Sequence, residues 1–534
     1  MSVVLDRDEA RVTFDRFDLD AYRTFLRCKA IPEKRVSMNG RSGVYIVATP
    51  RRFASMLDPL LKSEAAELRP LAPHLFDYQA FIVERALEAK RYAIWADTGL
   101  GKTAMFLEFA RQVVLRTQAK VLIISPLQII SQTREEAHRF YADVDGDGVV
   151  LTRLDSRAAL ARWCQEPGPG IAITNYEKLI EGVLNELRHL AGLILDESSI
   201  LKSGGGVIKW NLIKSARGIE YKLSCTATPA PNDTMEYASQ AAFLEKLRNE
   251  GEILWTYFTR DKNGTWSVKP HAREAFYAFM ATWSIYLRDP SHYGWADILA
   301  SLPEPEVIEH VIPLGDKQRR IMHELQVEGG TGMFNHERMG VRERSKSMQL
   351  ARGFLYQGSP RQAIRIPSQK PHRVAEIVEQ EVQAGRQVLV WTTFDEESEI
   401  LRGLLHAWGD GVAEVLTGDT PADEREVLIA EFKANVYPVL ISKPQLLGYG
   451  LNFQNCTAMV FSGFDDSFER MYQSVRRAYR YGQTQVVRVH LPYVAELEGM
   501  VFENLRAKEA RFMAEAGEQE AAYLVAMRAL GAIA

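Results

Sequence analysis

Short apolar runs alternate with helix-like segments over two long stretches of the chain, from about residue 67 to 247 and from about 367 to 500. The runs are too uniformly apolar to present one polar face, which is typical of parallel strands covered by helices on both sides. The pattern therefore predicts an α/β protein with two doubly wound parallel-sheet domains. The predicted strands are 92–96, 121–125, 170–174, 193–195 and 222–225 in the first domain, and 387–392, 413–416, 439–441, 458–461 and 486–490 in the second.

The stretch between the two domains shows a different pattern. Residues 248–366 are rich in aromatic side chains and mostly helical in pattern, with helices predicted at 273–287 and 316–326 and a glycine-containing loop at 328–333. The tryptophans of this stretch are expected in the core rather than as base-stacking platforms. They are Trp255, Trp266, Trp283 and Trp295.

The two ends of the chain predict smaller elements. A strand at 11–14, a helix near 19–28 and a hairpin that turns at Asn39–Gly40 indicate a small α+β unit at the amino terminus. A terminal helix is expected after the second domain. The predicted organisation is a small accessory unit at 1–66, a first α/β domain at 67–247, a helical insertion at 248–366, a second α/β domain at 367–500 and a C-terminal helix at 501–534.

Composition narrows the class of protein without giving its function. The chain has 534 residues, with 46% hydrophobic and 25% charged residues, which is typical of a soluble globular protein with several cores. No segment approaches the ~20 uninterrupted apolar residues that span a bilayer, so no membrane association is expected. The four cysteines lie far apart, which is typical of reduced thiols in a cytoplasmic protein. The net charge of −4 means that a polyanion would need basic groups gathered on one surface.

The sharpest chemical signal is a glycine-rich turn between an apolar run and a helical pattern, Ala96-Asp-Thr-Gly-Leu-Gly-Lys-Thr103. Backbone N–H groups in such a turn surround a phosphate at a helix N-terminus. Lys102 would place its ammonium on the β- and γ-phosphates, and Thr103 its hydroxyl on Mg²⁺. ATP and Mg²⁺ are therefore the expected cofactors. The loop residues expected to bind the nucleotide are Thr98, Gly99, Leu100, Gly101, Lys102 and Thr103.

A phosphate loop requires a metal-holding acid on a neighbouring strand, and Leu193-Ile-Leu-Asp-Glu-Ser-Ser199 supplies an apolar strand that ends in two carboxylates. Asp196 would hold Mg²⁺ through water, and Glu197 would orient and deprotonate the attacking water. We therefore expect ATP hydrolysis, with Lys102, Asp196 and Glu197 as catalytic residues.

Several further motifs lie before and after these two along the chain. Phe76-Asp-Tyr-Gln79 precedes the phosphate loop, and Leu446-Leu-Gly-Tyr-Gly-Leu-Asn-Phe453 lies in the second domain. Gln473-Ser-Val-Arg-Arg-Ala-Tyr-Arg-Tyr-Gly-Gln483 follows it. From about residue 74 to 510 the chain resembles a superfamily-two helicase, and within that superfamily the Swi/Snf type. The remaining motifs that carry the resemblance are Ser125-Pro-Leu127, Thr174-Asn-Tyr-Glu177 and Thr226-Ala-Thr-Pro229 with Asn232.

The resemblance implies two RecA-like lobes and assigns further residues to sites. Phe76 and Gln79 are expected at the adenine, and Gly450 and Gln473 elsewhere at the nucleotide. Arg477 and Arg480, spaced three apart and predicted on one helical face, are expected to act as arginine fingers on the γ-phosphate. The residues expected to contact nucleic acid are Ser125, Pro126, Thr174, Asn175, Tyr176, Thr226, Thr228 and Asn452.

The chain departs from the family pattern at a few positions. Arg476 stands where the family has Asp, and Tyr479 where it has His. The acid motif ends Asp-Glu-Ser-Ser rather than Asp-Glu-x-His, and Ala96 replaces the first glycine of the phosphate loop. The changes at Arg476, Tyr479 and the acid motif are expected to alter the efficiency of coupling between ATP and nucleic acid but not hydrolysis itself, whereas Ala96 is a departure common in helicase-like motors.

The function implied by the resemblance is an ATP-dependent motor that translocates on duplex or branched DNA and remodels it or its bound proteins. Two alternatives stay open: a strand-separating DNA or RNA helicase, and an ATPase clamp or switch in a replication or defence complex. We expect a monomeric, cytoplasmic motor of bacterial or phage origin, with a possible protein partner at residues 1–66. The expected basic track along the DNA comprises Lys317, Arg319, Arg320, Arg338, Arg342, Arg344, Lys346, Arg361, Arg365, Lys370 and Arg373.

Overall fold

The structure is a computed structural model of the chain. It describes residues 2–5, 9–14, 25, 28, 31–39, 44–50, 53, 69–142, 148–202, 206–227, 229, 236–247, 250–260, 266–296, 302–328, 341–358, 362–409, 411–447, 451–464 and 467–529. The chain forms two compact units, Met1–Ile298 with Ala516–Ala534, and Leu299–Glu515. The domain boundaries given above stay predictions.

A four-stranded antiparallel sheet begins the first unit. Every second residue of one strand (Ala10, Val12 and Phe14) is buried, as expected where one face of a sheet covers a core. The predicted strand at 11–14 is confirmed, whereas most of the predicted helix near 19–28, and Gly40 of the predicted turn, lie outside the described residues. The strands are β1 (Ser2–Leu5), β2 (Glu9–Phe14), β3 (Arg35–Asn39) and β4 (Val44–Pro50), in the order β1-β2-β4-β3.

A seven-stranded parallel sheet forms the centre of the first unit, and its core strands are buried on both faces. All five strands predicted for the first domain are confirmed. The strands are β5 (Arg91–Ala96), β6 (Lys120–Ser125), β7 (Leu151–Arg153), β8 (Gly170–Asn175), β9 (Gly192–Leu195), β10 (Tyr221–Thr226) and, after a small hairpin of β11 (Phe258–Arg260) and β12 (Trp266–Val268), β13 (Ser284–Leu287). Their order in the sheet is β13-β5-β10-β9-β6-β8-β7.

The helices of this unit alternate with the strands along the chain, as the doubly wound pattern predicts. The predicted helix at 273–287 is wrong in its last part. The chain leaves the helix at Ala281, and Ser284–Leu287 forms a strand because β5 offers it a parallel partner and a buried apolar site. The helices are α1 (Asp77–Ala89), α2 (Lys102–Thr117), α3 (Ile130–Tyr141), α4 (Arg157–Gln165), α5 (Val207–Ser215), α6 (Glu236–Phe243), α7 (Glu250–Tyr257) and α8 (Arg273–Ala281).

A six-stranded parallel sheet forms the centre of the second unit, in the order β14-β21-β20-β17-β19-β18. The last predicted strand lies at Arg488–Val494 rather than 486–490. An edge strand, Glu306–Ile312, was not predicted, because Glu and His residues interrupt its apolar pattern; Val307 and Val311 are exposed and Ile312 is buried. The strands are β14 (Glu306–Ile312), a hairpin of β15 (Phe354–Gln357) and β16 (Gln362–Arg365), β17 (Val388–Trp391), β18 (Ala413–Leu416), β19 (Val439–Ser442), β20 (Ala458–Phe461) and β21 (Arg488–Val494).

Helices again cover this sheet, so the predicted fold class, two RecA-like doubly wound lobes, is confirmed. The final helix is longer than predicted and begins at Ala495, directly after β21. The helices are α9 (Asp316–Glu328), α10 (Val341–Ala351), α11 (Gln369–Gln383), α12 (Asp395–His406), α13 (Ala422–Lys433), α14 (Pro444–Leu447), α15 (Phe468–Val475) and α16 (Ala495–Ala529). None of the helices in the described part of the chain combines the length and apolarity that a bilayer crossing requires.

The four tryptophans of residues 248–366 do not all lie in the core. Trp283 is fully buried, but the side chain of Trp255 is 78% exposed at the end of α7, and Trp266 meets it edge-on with 6.4 Å between ring centroids. The prediction of a core position is therefore wrong for Trp255.

Candidate nucleotide site

The phosphate loop joins β5 to α2 and has the backbone that its glycines allow. Gly99 and Gly101 have φ angles of 90° and 73°, in the left-handed region that favours glycine. A Cβ atom at Gly101 would lie 2.2 Å from the Nε2 atom of Gln79, so any side chain there would displace the Gln79 amide. The ammonium of Lys102 donates to the carbonyl oxygens of Ala96 (2.8 Å) and Asp97 (3.3 Å). Thr103, the next residue, is half-buried in the first turn of α2.

The adenine element is joined directly to this loop. The side chain of Gln79 accepts a hydrogen bond from the Phe76 amide (3.0 Å) and donates one to the carbonyl oxygen of Leu100 (3.2 Å). The Tyr78 hydroxyl donates to the same carbonyl at 2.9 Å. Phe76 and Tyr78 stack with 6.0 Å between centroids. Gln79 thus supports the phosphate loop in this structure, and its contact with the base stays a prediction.

The two predicted catalytic carboxylates follow β9 and are both buried. The strand that carries them is not the immediate neighbour of the phosphate-loop strand as predicted, since β10 lies between β9 and β5. The Ser125 hydroxyl donates to Oδ2 of Asp196 at 3.0 Å, and the Tyr176 hydroxyl donates to the backbone oxygen of Asp196 at 2.6 Å. Burial, and then the charge of Glu197, raise the pKa of Asp196, whereas the Ser125 hydrogen bond and the Lys102 charge oppose the increase.

Glu197 has two features of a functional residue. Its φ angle of 50° lies in the left-handed region, where a side chain is strained, and such strain persists only where the surroundings enforce it. Its Oε2 atom is buried and has no hydrogen-bond partner among the described residues. A buried carboxylate oxygen without a donor is costly, so this atom is suited to accept a hydrogen bond from a ligand or water.

Magnesium prefers oxygen ligands, usually one or two carboxylates with substrate phosphates and water. The Asp196 carboxylate and the Thr103 hydroxyl supply donors of this kind beside a phosphate loop, so the residues fit Mg²⁺. Across the described residues, no cluster of three or more His, Cys, Asp or Glu side chains forms a metal site made of protein ligands alone. Any Mg²⁺ would therefore depend on the nucleotide for most of its ligands.

The residues predicted to contact nucleic acid are mostly buried in the first unit. Thr174 donates to the carbonyl oxygen of Leu154 at 2.8 Å, and Ser125 and Tyr176 bind Asp196 as described above. Their side chains are thus occupied inside the protein. Pro126 is half-buried, Asn175 and Thr226 are buried, and Thr228 and Asn232 lie outside the described residues.

A contact between Ser125, Tyr176 and Asp196 was not expected, yet the sequence contained a signal for it. Each of these residues lies at the end of, or within two residues after, a predicted strand of one parallel sheet. The carboxyl ends of parallel strands meet at one edge, where ligands bind in doubly wound folds. The strand ends alone could therefore have suggested this cluster.

In the second unit, hydrogen bonds join the segment at the end of the motif Leu446–Phe453 to the motif Gln473–Gln483. The Phe453 amide donates to the carbonyl oxygen of Arg477 at 2.9 Å, and the Gln483 side chain donates to that of Gln454 at 3.0 Å. Asn452 exchanges hydrogen bonds with Gln454, at 3.0 and 3.1 Å. Gly450 lies outside the described residues.

The two predicted arginine fingers are not on one helical face, because α15 ends at Val475 and both follow it in turns. Arg477 is buried and donates from Nε to the carbonyl oxygen of Gln473 at 3.0 Å, whereas Arg480 is half-buried. Gln473 is buried in the last turn of α15.

Among the described residues of the predicted basic track, the prediction for Lys370 is wrong. Lys370 is buried and donates to both oxygens of Glu498 at 2.7 Å, so it cannot contact DNA. Lys346 donates to the carbonyl oxygen of Tyr356, and Arg338 and Arg361 lie outside the described residues.

Two family matches cover the two lobes. Residues 76–236 match the DEAD/DEAH box helicase family, and residues 369–482 match the helicase conserved C-terminal domain. The first match contains the phosphate loop and Asp196–Glu197, and the second contains the motifs around Asn452 and Arg477.

Individual relatives are distant. Protein p41 of Acyrthosiphon pisum secondary endosymbiont phage 1 is 24% identical over 71% of this chain and 82% of its own length. The Chromodomain-helicase-DNA-binding protein 1-like of Danio rerio is 22% identical over 74% of this chain, and the Zorya protein ZorD of Escherichia coli is 22% identical over 76%. The chain spans only 38% and 40% of the length of these last two.

Among solved structures, the Sulfolobus solfataricus SWI2/SNF2 ATPase core in complex with dsDNA is similar over 83% of this chain and 96% of that chain, with 18% identity and a TM-score of 0.39. The two family matches, each on one lobe with its motifs in place, identify the enzyme class. The chain therefore belongs to the superfamily-two helicases, in which it is similar to the Swi/Snf type, and it is an ATP-hydrolysing enzyme of the helicase type.

Proposed function

We propose that this protein is an ATP-dependent DNA motor of the Swi/Snf type, which translocates on duplex or branched DNA and remodels the DNA or its bound proteins. The observation that carries the proposal is the segment Gln473–Gln483. Its sequence resembles the Swi/Snf signature, and it is tied to the preceding motif through Phe453 and Gln454. A relative whose name describes it as DNA-binding supports the same assignment.

The chemistry of the proposed cycle follows from the first unit. Lys102, at the start of α2, would exchange its two carbonyl partners for the β- and γ-phosphates, and the loop amides would donate to the same groups. Asp196 and Thr103 would hold Mg²⁺, which when bound neutralises phosphate charge. The Glu197 oxygen that has no donor among the described residues would accept the proton of the attacking water.

The resemblance assigns charge stabilisation in the transition state to the second unit. Arg477 and Arg480 would neutralise the charge that develops on the transferred phosphoryl group, for which an arginine is worth ~10³-fold or more in rate. The bond between Arg477 and the Gln473 backbone fixes the guanidinium orientation, which favours a preorganised role.

The motor would recognise DNA through its phosphate backbone. Phosphate contacts position a protein on DNA and carry no sequence information, as a translocating motor requires. We propose that the DNA is duplex or forked, that the motor is a monomer acting in the cytoplasm, and that residues 1–66 provide a surface for a protein partner.

The proposal is tested by measuring ATP turnover with no nucleic acid, single-stranded DNA, duplex DNA, forked DNA and RNA, with Lys102→Ala as the inactive control. We expect duplex or forked DNA to give the largest stimulation. A third strand wound in the major groove should be displaced in an ATP-dependent way, while a duplex of moderate length stays paired. Strand separation without triplex displacement would assign the protein to the strand-separating helicases, and stimulation by RNA alone would exclude a DNA motor.

A further inference from the structure

Three parallel strands of the first unit end side by side. Ser125, the last residue of β6, pairs in register with Asn175, the last residue of β8. On the other side of β6, Ile124 pairs with Leu195, the last residue of β9, and the Asp196 amide donates to the carbonyl oxygen of Ile124 at 2.9 Å. The acid motif and the two predicted nucleic-acid motifs that contain Ser125 and Tyr176 therefore meet at one edge of one sheet.

Two buried hydroxyl groups from those motifs bind the same acid at different atoms. Ser125 donates to the carboxylate Oδ2 of Asp196 at 3.0 Å, and Tyr176 donates to its backbone oxygen at 2.6 Å. Both side chains are at least 98% buried, so water does not compete for either bond. Hydrogen bonds to a charged carboxylate are stronger than those between neutral groups.

The Tyr176 hydrogen bond lies on the peptide group that joins Asp196 to Glu197. The left-handed φ of 50° at Glu197 sets the direction in which its side chain leaves this peptide, and this conformation is strained for a residue that carries a Cβ atom. A donor that holds the preceding carbonyl resists relaxation of this strained backbone. Tyr176 thus helps to orient the oxygen of Glu197 that has no donor within the described part of the chain.

We propose that Ser125 and Tyr176 are positioning residues that hold the Asp196–Glu197 pair in its catalytic arrangement and transmit nucleic-acid binding to it. The proposal rests on the proposed function. Ser125 directly precedes Pro126 and the short 3-10 helix Leu127–Ile129, and Tyr176 itself begins the 3-10 helix Tyr176–Leu179. A shift of either segment on binding a phosphate backbone moves a hydroxyl that binds Asp196. This role replaces direct nucleic-acid contact by these two side chains.

The transmission is reciprocal, because two linked binding events change each other's affinity by the same factor. Occupation of the site by Mg²⁺ and a non-hydrolysable ATP analogue should therefore change the dissociation constant for duplex DNA. Removing a hydroxyl that carries the linkage should reduce this change without abolishing either binding event.

The first test is Tyr176→Phe, which removes only the hydroxyl group. We expect the DNA-stimulated kcat to fall ~10-fold, as for loss of one buried hydrogen bond, while the KM for ATP changes ~2-fold or less. The matched control is Tyr141→Phe. Tyr141 is equally buried in the same unit and donates at 3.0 Å to Glu108 instead, so this variant should keep the stimulated rate.

The second test separates the carboxylate contact from the backbone contact. Ser125→Ala should weaken binding of a fluorescent ATP analogue in the presence of Mg²⁺ by ~10-fold and leave Mg²⁺-free binding unchanged, since only the metal-holding carboxylate loses a donor. Ser125→Thr retains a hydroxyl and should restore Mg²⁺-dependent binding. Ser215→Ala, which removes a buried hydroxyl bound to Asn211 and Leu184, is the matched control.

The outcomes distinguish this inference from the proposed function. If the wild-type protein shows no stimulation by any DNA, the proposed function fails. If the wild type is stimulated but Tyr176→Phe is stimulated equally, or loses rate only as much as Tyr141→Phe, the positioning role is overturned. Equal loss of Mg²⁺-free and Mg²⁺-dependent nucleotide binding in Ser125→Ala overturns the role of Ser125.

Discussion

The guanidinium carbon of Arg476 lies 4.9 Å from the centroid of the Tyr479 ring. It also lies 5.1 Å from the Tyr472 ring, whose hydroxyl accepts a hydrogen bond from Arg476 at 2.9 Å. Arg476 and Tyr479 are the two positions where this chain departs from the Swi/Snf signature. The two departures therefore contact each other in one cation–π pair.

A double-mutant cycle tests this contact. We expect Arg476→Gln and Tyr479→Leu to be non-additive, with a coupling energy of about 0.5–1 kcal/mol in the free energy of unfolding of the second unit. The measurement is denaturant unfolding of the wild type, both single variants and the double variant. Additive effects within experimental error would show that the two substitutions are independent.

The catalytic assignments predict two different losses in the first unit. Lys102→Ala and Glu197→Gln should both abolish ATP turnover, but only Lys102→Ala should weaken nucleotide binding, because Lys102 is expected to contact the phosphates in the ground state. Glu197→Gln retains the shape of the side chain and should bind ATP and trap it. Titration with a fluorescent ATP analogue measures the difference, and equal loss of affinity in both variants would contradict the division of roles.

How far the sequence predicted the fold depends on the range of the interactions involved. The strands that precede Lys102 and Asp196 were predictable, because apolar runs bounded by turns and helices are a local signal. Ser284–Leu287 was not, because a short apolar run after a helix is compatible with more helix. Only the distant strand β5, which pairs with it, decides the outcome.

The site shows the same division. The phosphate loop and the acid pair were both predicted from motifs, and each follows a strand of the same parallel sheet, although β10 separates the two strands. The hydrogen bonds from Ser125 and Tyr176 to Asp196 were not predicted, since the motif resemblance assigned both residues to nucleic acid. Their partner in the structure follows from the order of the strands in the sheet. The position of Arg477 beyond the end of α15 was also missed, because a short helix end has a weak sequence signal.

Arg477 and Arg480 are expected to differ in their effects on stability. Both Arg477→Ala and Arg480→Ala should lower kcat by ~10³-fold if each is an arginine finger. Arg477 is buried and bonded to the Gln473 and Leu451 carbonyls, so its loss should also destabilise the second unit by about 1–3 kcal/mol. Arg480 is only half-buried, so Arg480→Ala should lower the stability less than Arg477→Ala. Near-normal hydrolysis in both variants would remove the finger assignment.

A buried network of four charges lies within the second unit. Lys370 donates to Glu498, and Arg352 lies 3.1 Å from Glu397 and 3.5 Å from Glu498. All four side chains are almost completely buried, and their charges balance. The network links the helices α11, α12 and α16 to the segment that follows α10.

Removing one carboxylate charge from this network should be costly, because it leaves an uncompensated buried cation. We expect Glu498→Gln to lower the free energy of unfolding of the second unit by about 3–5 kcal/mol. Glu376→Gln, which removes a carboxylate from the exposed pair with Arg373, is the matched control and should cost about 0.5 kcal/mol or less. Denaturant unfolding followed by hydrogen exchange of Val388–Trp391 would measure both, and similar small losses would show that the buried charges contribute little.

The edge of the second sheet should make stability depend on pH through His490. Its Nδ1 atom lies 3.0 Å from Nε2 of His310, and its Nε2 atom lies 3.1 Å from Glu381. Burial lowers the pKa of His490 to about 4; the Glu381 charge opposes this decrease, and the charges of His310 and Arg488 add to it. Burial and the charges of Arg373 and Arg488 also lower the pKa of His310. Arg386 pairs with Glu381 as well, so the carboxylate is shared among several cations.

The sign of the effect follows from these directions. Because the folded pKa of His490 lies below the ordinary value of 6.5, the unfolded chain binds the proton more tightly between about pH 6.5 and 4. The contribution of a neutral His490 to stability is therefore complete above pH 6.5 and is lost as the pH falls through this window, at up to about 1.4 kcal/mol per pH unit. His490→Gln should flatten the pH dependence of the unfolding free energy of the second unit between pH 4 and 6.5. His323→Gln, at an exposed position of α9, controls for loss of an imidazole. An unchanged slope in His490→Gln would mean that other groups, such as the carboxylates, cause the acid sensitivity.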